Sequence, residues 1–258
     1  MKFDPQGWYL DRGRYGSLNG ILIAPRTPPT LMVTLCHGFG APGSDLVPLV
    51  EALVPRLADH AQPPAFFFPE GPIDLAEAYG MSGANAWWPL NMAMLAELAA
   101  ADDFDALRKE IPQGLEHARG CLLSSIQACI ESQKWPALRH VLGGFSQGSM
   151  LSVDTSLHAI PIDVHGLIVW SGALICEDAW RTANAENPKR MAVYQSHGRQ
   201  DPILPIGTGR ALQQLLQEFG WRIESMEFDG PHTIPESAIE GAARLIDSMI
   251  VFESDADK

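Results

Sequence analysis

The chain has 258 residues, enough to bury a large core, and its 46% hydrophobic and 19% charged residues are ordinary for a globular protein. Eighteen Lys and Arg against 31 Asp and Glu leave a net charge of −13, an acidic surface that repels phosphate backbones and anionic headgroups and argues against a nucleic-acid partner. No stretch approaches the roughly 18 apolar residues that span a bilayer, and the opening MKFDPQGWYLDRGRYG lacks the apolar run of a signal peptide, so the expected location is the cytoplasm.

Strand-like and helix-like segments then alternate. GWYLDR (7–12) and GILIAP (20–25) flank a Gly-containing turn and predict an opening hairpin. TLMVTLC (30–36) is almost continuously apolar, as a strand buried on both faces must be. Residues 45–58 carry helical spacing through Leu46, Leu49, Val50, Leu53, Val54 and Leu57, with a kink expected at Pro55. AFFFPEG (65–71) reads as a short buried strand. Residues 72–112 are less regular, with a Trp-rich turn and one helix expected around 92–101. A helix over 113–132 follows, then strand 138–145, helix 147–158, strand 164–170, strand 191–198, helix 206–219 closed by Gly220, strand 221–228 and a last helix over 236–250. This alternation predicts one α/β domain over 1–258, a mostly parallel sheet with helices on both faces. Functional loops are expected at the carboxyl ends of its strands, after Cys36, Phe145, Trp170, His197 and Phe228.

One of those ends reads Gly144-Phe145-Ser146-Gln147-Gly148, the pattern G-x-S-x-G at a strand-to-helix junction. A sharp turn strains the serine backbone and brings neighbouring chains close, so only small residues fit two positions either side. The plain alternative is a glycine turn whose serine caps the helix. A nucleophilic serine needs a base. In the chain order serine, acid, histidine, the candidates are His158, His165, His197 and His232. His158 ends the serine's own helix and His165 begins a strand at the wrong edge. His197 and His232 both follow strands, and His232 sits in the proline-stiffened loop DGPHTIP. For the acid, Asp201 in HGRQDPILP comes from the neighbouring strand end; Asp229 and Asp178 are weaker candidates. An oxyanion hole would use the backbone N–H of Gln147 at the helix start and that of Phe39 in the loop HGFGAPGSD. The same loop contains G-x-G-x-x-G as Gly38, Gly40 and Gly43. Pro42 and the distance to Glu70 set it apart from a dinucleotide fingerprint. Cys36, Cys121, Cys129 and Cys176 form no CxxC pair or zinc-ligand cluster and read as buried thiols.

Taken together, LCHGFGAPGSDLVPL, GGFSQGSML, VWSGAL, SHGRQDPILP and DGPHTIPES resemble the phospholipase/carboxylesterase family of α/β-hydrolases in order and spacing, over most of the chain after about residue 30. The resemblance implies the α/β-hydrolase fold, Ser146 as nucleophile, Asp201 as acid, His232 as base, and the amides of Phe39 and Gln147 as oxyanion donors. The chain departs from the family at Pro89 of NAWWPL, in a longer stretch over 90–118 and in the hairpin at 7–25. These differences bear on the substrate groove, for which residues 72–112 are the expected lining. Trp87, Trp88 and Leu90, with Met92 and Met94, are candidates for a lipophilic wall there. The expected activity is hydrolysis of carboxylic esters or thioesters through an acyl-enzyme, with no metal or organic cofactor. Acyl transfer, a non-catalytic binding module and a nucleotide-binding oxidoreductase are the alternatives.

Overall fold

The computed structural model describes residues 7–58, 62–90, 105–135, 138–158 and 161–250. The expected helix around 92–101, with Met92 and Met94, lies outside the described residues. An eight-stranded sheet runs through the chain. Its strands are β1 (Trp8–Tyr15), β2 (Leu18–Pro25), β3 (Leu31–Cys36), β4 (Ala65–Pro69), β7 (Arg139–Phe145), β8 (Asp163–Trp170), β9 (Ala192–Gly198) and β10 (Arg222–Phe228). Their spatial order is β1-β2-β4-β3-β7-β8-β9-β10. The β1–β2 hairpin and the β2–β4 pair are antiparallel; every pairing from β4 to β10 is parallel. A small two-stranded ribbon, β5 (Ile73–Asp74) with β6 (Asn85–Ala86), stands apart from the sheet.

The sheet divides two apolar cores, and the two-residue period of each strand deals its side chains alternately to them. Leu22, Met32, Phe67, Leu142 and Val169 face helices Leu115–Gln133, Gln147–Leu157, Glu177–Glu186 and Ile206–Glu218. Ile21, Val33, Phe66, Val141 and Ile168 face helices Leu49–Leu53 and Glu236–Met249. With cover on both faces, the central strands β3 and β4 are buried at every position, which is why LMVTLC and AFFFP read as nearly unbroken apolar runs. Helix Gln147–Leu157 is buried along its whole length. Its small polar residues bond to nearby backbone: Ser152 Oγ donates to the carbonyl of Gly143 at 2.9 Å. Its one carboxylate, Asp154, accepts from Arg119 at 2.8 Å and from the Trp180 indole at 3.0 Å, tying three helices together.

Two expectations need correction. The helix expected over 45–58 is a run of turns, then one short helix at Leu49–Leu53 and a 3-10 turn at Val54–Arg56. Pro55 has no N–H to continue the ladder and ends the α-helix rather than kinking it. The helix Glu177–Glu186 was not expected from the sequence. It buries only Trp180 and Ala183, too few apolar positions to show a stripe.

His140, in β7, is 2% exposed and its Nδ1 has no partner among the described residues. Burial lowers its pKa to about 4. The unfolded chain therefore binds a proton between about pH 6.5 and pH 4 that the folded chain refuses, so stability falls as pH falls through that window. Between pH 7 and pH 4.5, wild type is expected to lose about 2 kcal/mol more than His140→Leu in urea unfolding. Equal losses would show that His140 does not titrate on unfolding.

Candidate active site

Ser146 stands between β7 and the buried helix Gln147–Leu157, with φ 54° and ψ −118°. That left-handed φ is costly for a residue with a Cβ, on the order of 1–3 kcal/mol, and persists only where its surroundings enforce it. The turn that holds it packs tightly against β3. A Cβ on Gly144 would lie 2.3 Å from the carbonyl oxygen of Cys36, and one on Gly148 would lie 2.1 Å from the same atom. Both glycines of G-x-S-x-G are thus required by one neighbouring carbonyl. Ser146 occupies the N-cap position of the helix, yet its side chain makes no capping bond. The helix-cap explanation of this serine is thereby excluded. Its hydroxyl is left unused by the helix, while Ser149 Oγ donates to the Ser146 carbonyl at 2.7 Å.

The loops after β9 and β10 bring Asp201 and His232 together. His232 Nδ1 donates to Asp201 Oδ2 at 2.5 Å, across 31 residues of sequence. Gly198 allows this: a Cβ there would sit 2.4 Å from the carbonyl oxygens of Gly230 and Pro231, so only glycine lets the two loops touch. Asp201 Oδ1 accepts from the amides of Ile203 and Leu204, each at 2.9 Å. Burial works against the Asp201 charge, but the His232 bond and these amides outweigh it and hold the carboxyl below its usual pKa. The ring of His232 packs on Phe145, the residue before Ser146, with centroids 4.6 Å apart. No hydrogen bond joins Ser146 to His232 among the described contacts.

The other candidates lie elsewhere or do other work. Asp229 is exposed and pairs with Arg199 at 2.9 Å. Asp178 is an exposed residue in the first turn of helix Glu177–Glu186. His158 packs beside Arg119 and Asp154, and His165 beside Asp163. His197 is buried, and its Nε2 donates to the Leu204 carbonyl at 2.6 Å while lying 3.4 Å from Asp201 Oδ2. Burial depresses its pKa and keeps it neutral. It is a second histidine on the same carboxylate, in the motif SHGRQD, but it faces Gly209 rather than the serine.

The loop after β3 lies against this centre. A Cβ on Gly38 would meet Phe145 at 3.3 Å and the Ser146 Cβ at 3.5 Å. Within the loop, Ala41 N–H donates to the Gly38 carbonyl and Gly40 N–H to that of Asn85. The Phe39 amide between them has no partner among the described residues, nor has that of Gln147, at the first helical position. Buried His37 braces the loop: its Nδ1 bonds to the Gly38 carbonyl and its Nε2 accepts from the Gly71 amide. Burial lowers its pKa, which keeps Nε2 free to accept. The glycines at 38, 40 and 43 are followed by turns, and no helix begins until Leu49. No helix starts directly from this glycine turn, as one does in a dinucleotide fingerprint.

A cavity of about 570 Å³ opens beside Ser146. Its wall is mostly carbon, with Trp88, Leu90, Leu107, Met150 and Ile175 among its lining. Trp88 and Leu90 are therefore on the wall. Trp87 is not: it is buried, and its indole donates to the His37 carbonyl at 2.9 Å. The sequence points to Gln147 through its backbone amide alone, with no role for its side chain. Instead it is 1% exposed, accepting from the Trp87 amide at 3.0 Å and donating to the Trp88 carbonyl at 2.9 Å. A long polar residue in the first turn of a wholly buried helix is the signal that could have marked it. All four cysteines are free and buried, and burial pushes the Cys36 and Cys176 thiols up to about 12, so neither supplies a thiolate. Among the described residues, no group of three or more His, Cys, Asp or Glu is gathered to hold a metal ion, and no helix is long and apolar enough to cross a membrane.

The sequence model of the phospholipase/carboxylesterase family matches residues 19–250. Acyl-protein thioesterase 1 of Kluyveromyces lactis is 30% identical over 207 residues, covering 78% of this chain and 83% of the relative. Acyl-protein thioesterase 1 of Saccharomyces cerevisiae is 25% identical over 221 residues, covering 82% and 88%. Among solved structures, esterase PE8 superposes with a TM-score of 0.67 at 22% identity, covering 94% of this chain and 99% of its own. The Bacillus cereus carboxylesterase does so with a TM-score of 0.62 at 15% identity, covering 90% and 95%. These likenesses show an α/β-hydrolase fold.

Proposed function

The chain belongs to the phospholipase/carboxylesterase family, and from that premise we propose that it hydrolyses carboxylic esters or thioesters at Ser146, with His232 as base and Asp201 as the acid behind it. The observation that carries the reading is the 2.5 Å bond from His232 Nδ1 to Asp201 Oδ2, made at two strand ends beside a strained, uncapped Ser146. With Nδ1 holding its proton for Asp201, Nε2 is the basic nitrogen. The Ser146 hydroxyl loses its proton to Nε2 as Oγ attacks the carbonyl carbon, and the Ser146–His232 contact tightens when substrate fills the site. The unpartnered amides of Phe39 and Gln147 receive the negative charge that develops on the carbonyl oxygen. His232 then gives its proton to the leaving alcohol or thiol. Water, deprotonated by the same nitrogen, attacks the acyl-enzyme, and the acid is released as Oγ regains a proton.

The apolar cavity suits an acyl chain, and Trp88 and Leu90 would lie along it. Tyr79, Leu107 and Pro112 also line it, which supports the described part of residues 72–112 as a wall of the groove within one α/β-hydrolase domain. A fluorophosphonate probe is expected to label the purified protein once per chain, with the adduct on the peptide containing Ser146. No adduct, under conditions that label a control serine hydrolase, would overturn the reading.

A further inference from the structure

The segment Asn85–Trp88 touches the loop after β3, the serine's helix and the cavity without supplying a reacting atom. At one end it pairs with the loop after β3: the Asn85 carbonyl accepts from the Gly40 amide, and the Asn85 amide donates to the Ala41 carbonyl, both at 3.0 Å. Next, the Trp87 indole donates to the His37 carbonyl at 2.9 Å, and its ring lies 5.3 Å from the His37 imidazole between centroids. The segment then meets the serine's helix through the paired bonds of the Gln147 side chain to Trp87 N–H and Trp88 C=O. At the other end, Trp88 is among the residues that line the cavity. The packing leaves no slack: a Cβ on Gly71 would lie 2.6 Å from the Ala86 carbonyl oxygen.

We propose that Asn85–Trp88 is a strut that fixes the two oxyanion donors relative to each other and transmits acyl-chain contact at Trp88 to them. Trp87 and the Gln147 side chain are then positioning residues. The Phe39 amide has no bond of its own to hold it, and its orientation follows from the bonded residues on either side, His37 and Gly40, both of which the strut grips. The Gln147 amide belongs to the residue whose side chain grips the strut from the other side. The two donors are therefore set by one element. An acyl chain that fills the cavity seats Trp88, and through it the hole. Binding energy from the chain then appears in kcat more than in KM. This proposal rests on hydrolysis at Ser146.

The test is a p-nitrophenyl ester series from acetate to octanoate, run on wild type, Trp87→Phe and Gln147→Met. Wild-type kcat is expected to rise with chain length. Gln147→Met keeps the backbone amide and the bulk but loses both side-chain bonds; Trp87→Phe keeps an aromatic ring but loses the bond to His37. Each variant is expected to flatten the rise, losing roughly 10- to 100-fold in kcat on octanoate with KM changed less than about threefold. Full fluorophosphonate labelling at Ser146 in both variants shows that the nucleophile is intact. Should Gln147→Met fail to fold, Trp87→Phe decides by itself. Variants that keep the wild-type slope in kcat, or that lose only through KM, overturn the strut while leaving Ser146 labelling in place. Unlabelled wild type overturns hydrolysis at Ser146 instead.

Discussion

Ser146→Ala is expected to lower kcat/KM for p-nitrophenyl esters by about 10⁵- to 10⁶-fold and to abolish fluorophosphonate labelling, with the melting transition within about 1 °C of wild type. The size follows from the proposed role. Without Oγ no acyl-enzyme can form, and only the oxyanion amides and the cavity remain to act on the substrate. The unchanged stability follows from the local structure. The serine side chain makes no helix-capping bond, so the helix loses nothing when it goes. Alanine also carries a Cβ, so the strained φ of 54° costs it what it costs serine. A loss of activity accompanied by a large drop in melting temperature would point to a structural serine. Retained turnover would remove Ser146 from the chemistry altogether.

Asp201→Asn is expected to cost about 10⁴-fold in kcat with the fold intact. The amide is the same size as the carboxylate, and its Oδ1 can still accept from Ile203 and Leu204. Its nitrogen would then face His232 Nδ1 as a donor where Asp201 Oδ2 now accepts. The imidazole must answer by carrying its proton on Nε2, the tautomer that cannot take one from Ser146. The lost negative charge also leaves the imidazolium formed during attack without its counter-ion. Asp229→Asn serves as the control. That carboxylate is exposed and, among the described residues, pairs with surface Arg199, so its removal should change kcat less than about twofold. The opposite ranking, with Asp229→Asn inactive and Asp201→Asn active, would move the acid to Asp229.

Much of the framework was legible because its causes are local. Unbroken apolar runs marked the buried strands, and 3.6-residue spacing marked most of the longer helices. The failures came where the local signal was thin or misleading. Residues 45–58 carried a helical apolar stripe, but Pro55 removes a donor from the ladder and confines the helix to five residues. Helix Glu177–Glu186 has almost no stripe, since its anchor is one indole reaching Asp154 on another helix.

At the site, the sequence by itself determined which residues could take part. Small residues flanking Ser146 announce a turn that admits no Cβ, and Asp201 and His232 follow in an order that the topology can use. The tertiary structure alone decided which of them meet. It selected Asp201 over Asp229 as the partner of His232 and set His197 3.4 Å from the same carboxylate oxygen. It took Trp87 off the cavity wall and left Trp88 on it. It also gave the Gln147 side chain partners some 60 residues earlier in the chain. Turn sterics and apolar periodicity act between near neighbours and so are written along the chain. Hydrogen bonds between loops have no partner until the sheet order places β3, β7, β9 and β10 side by side.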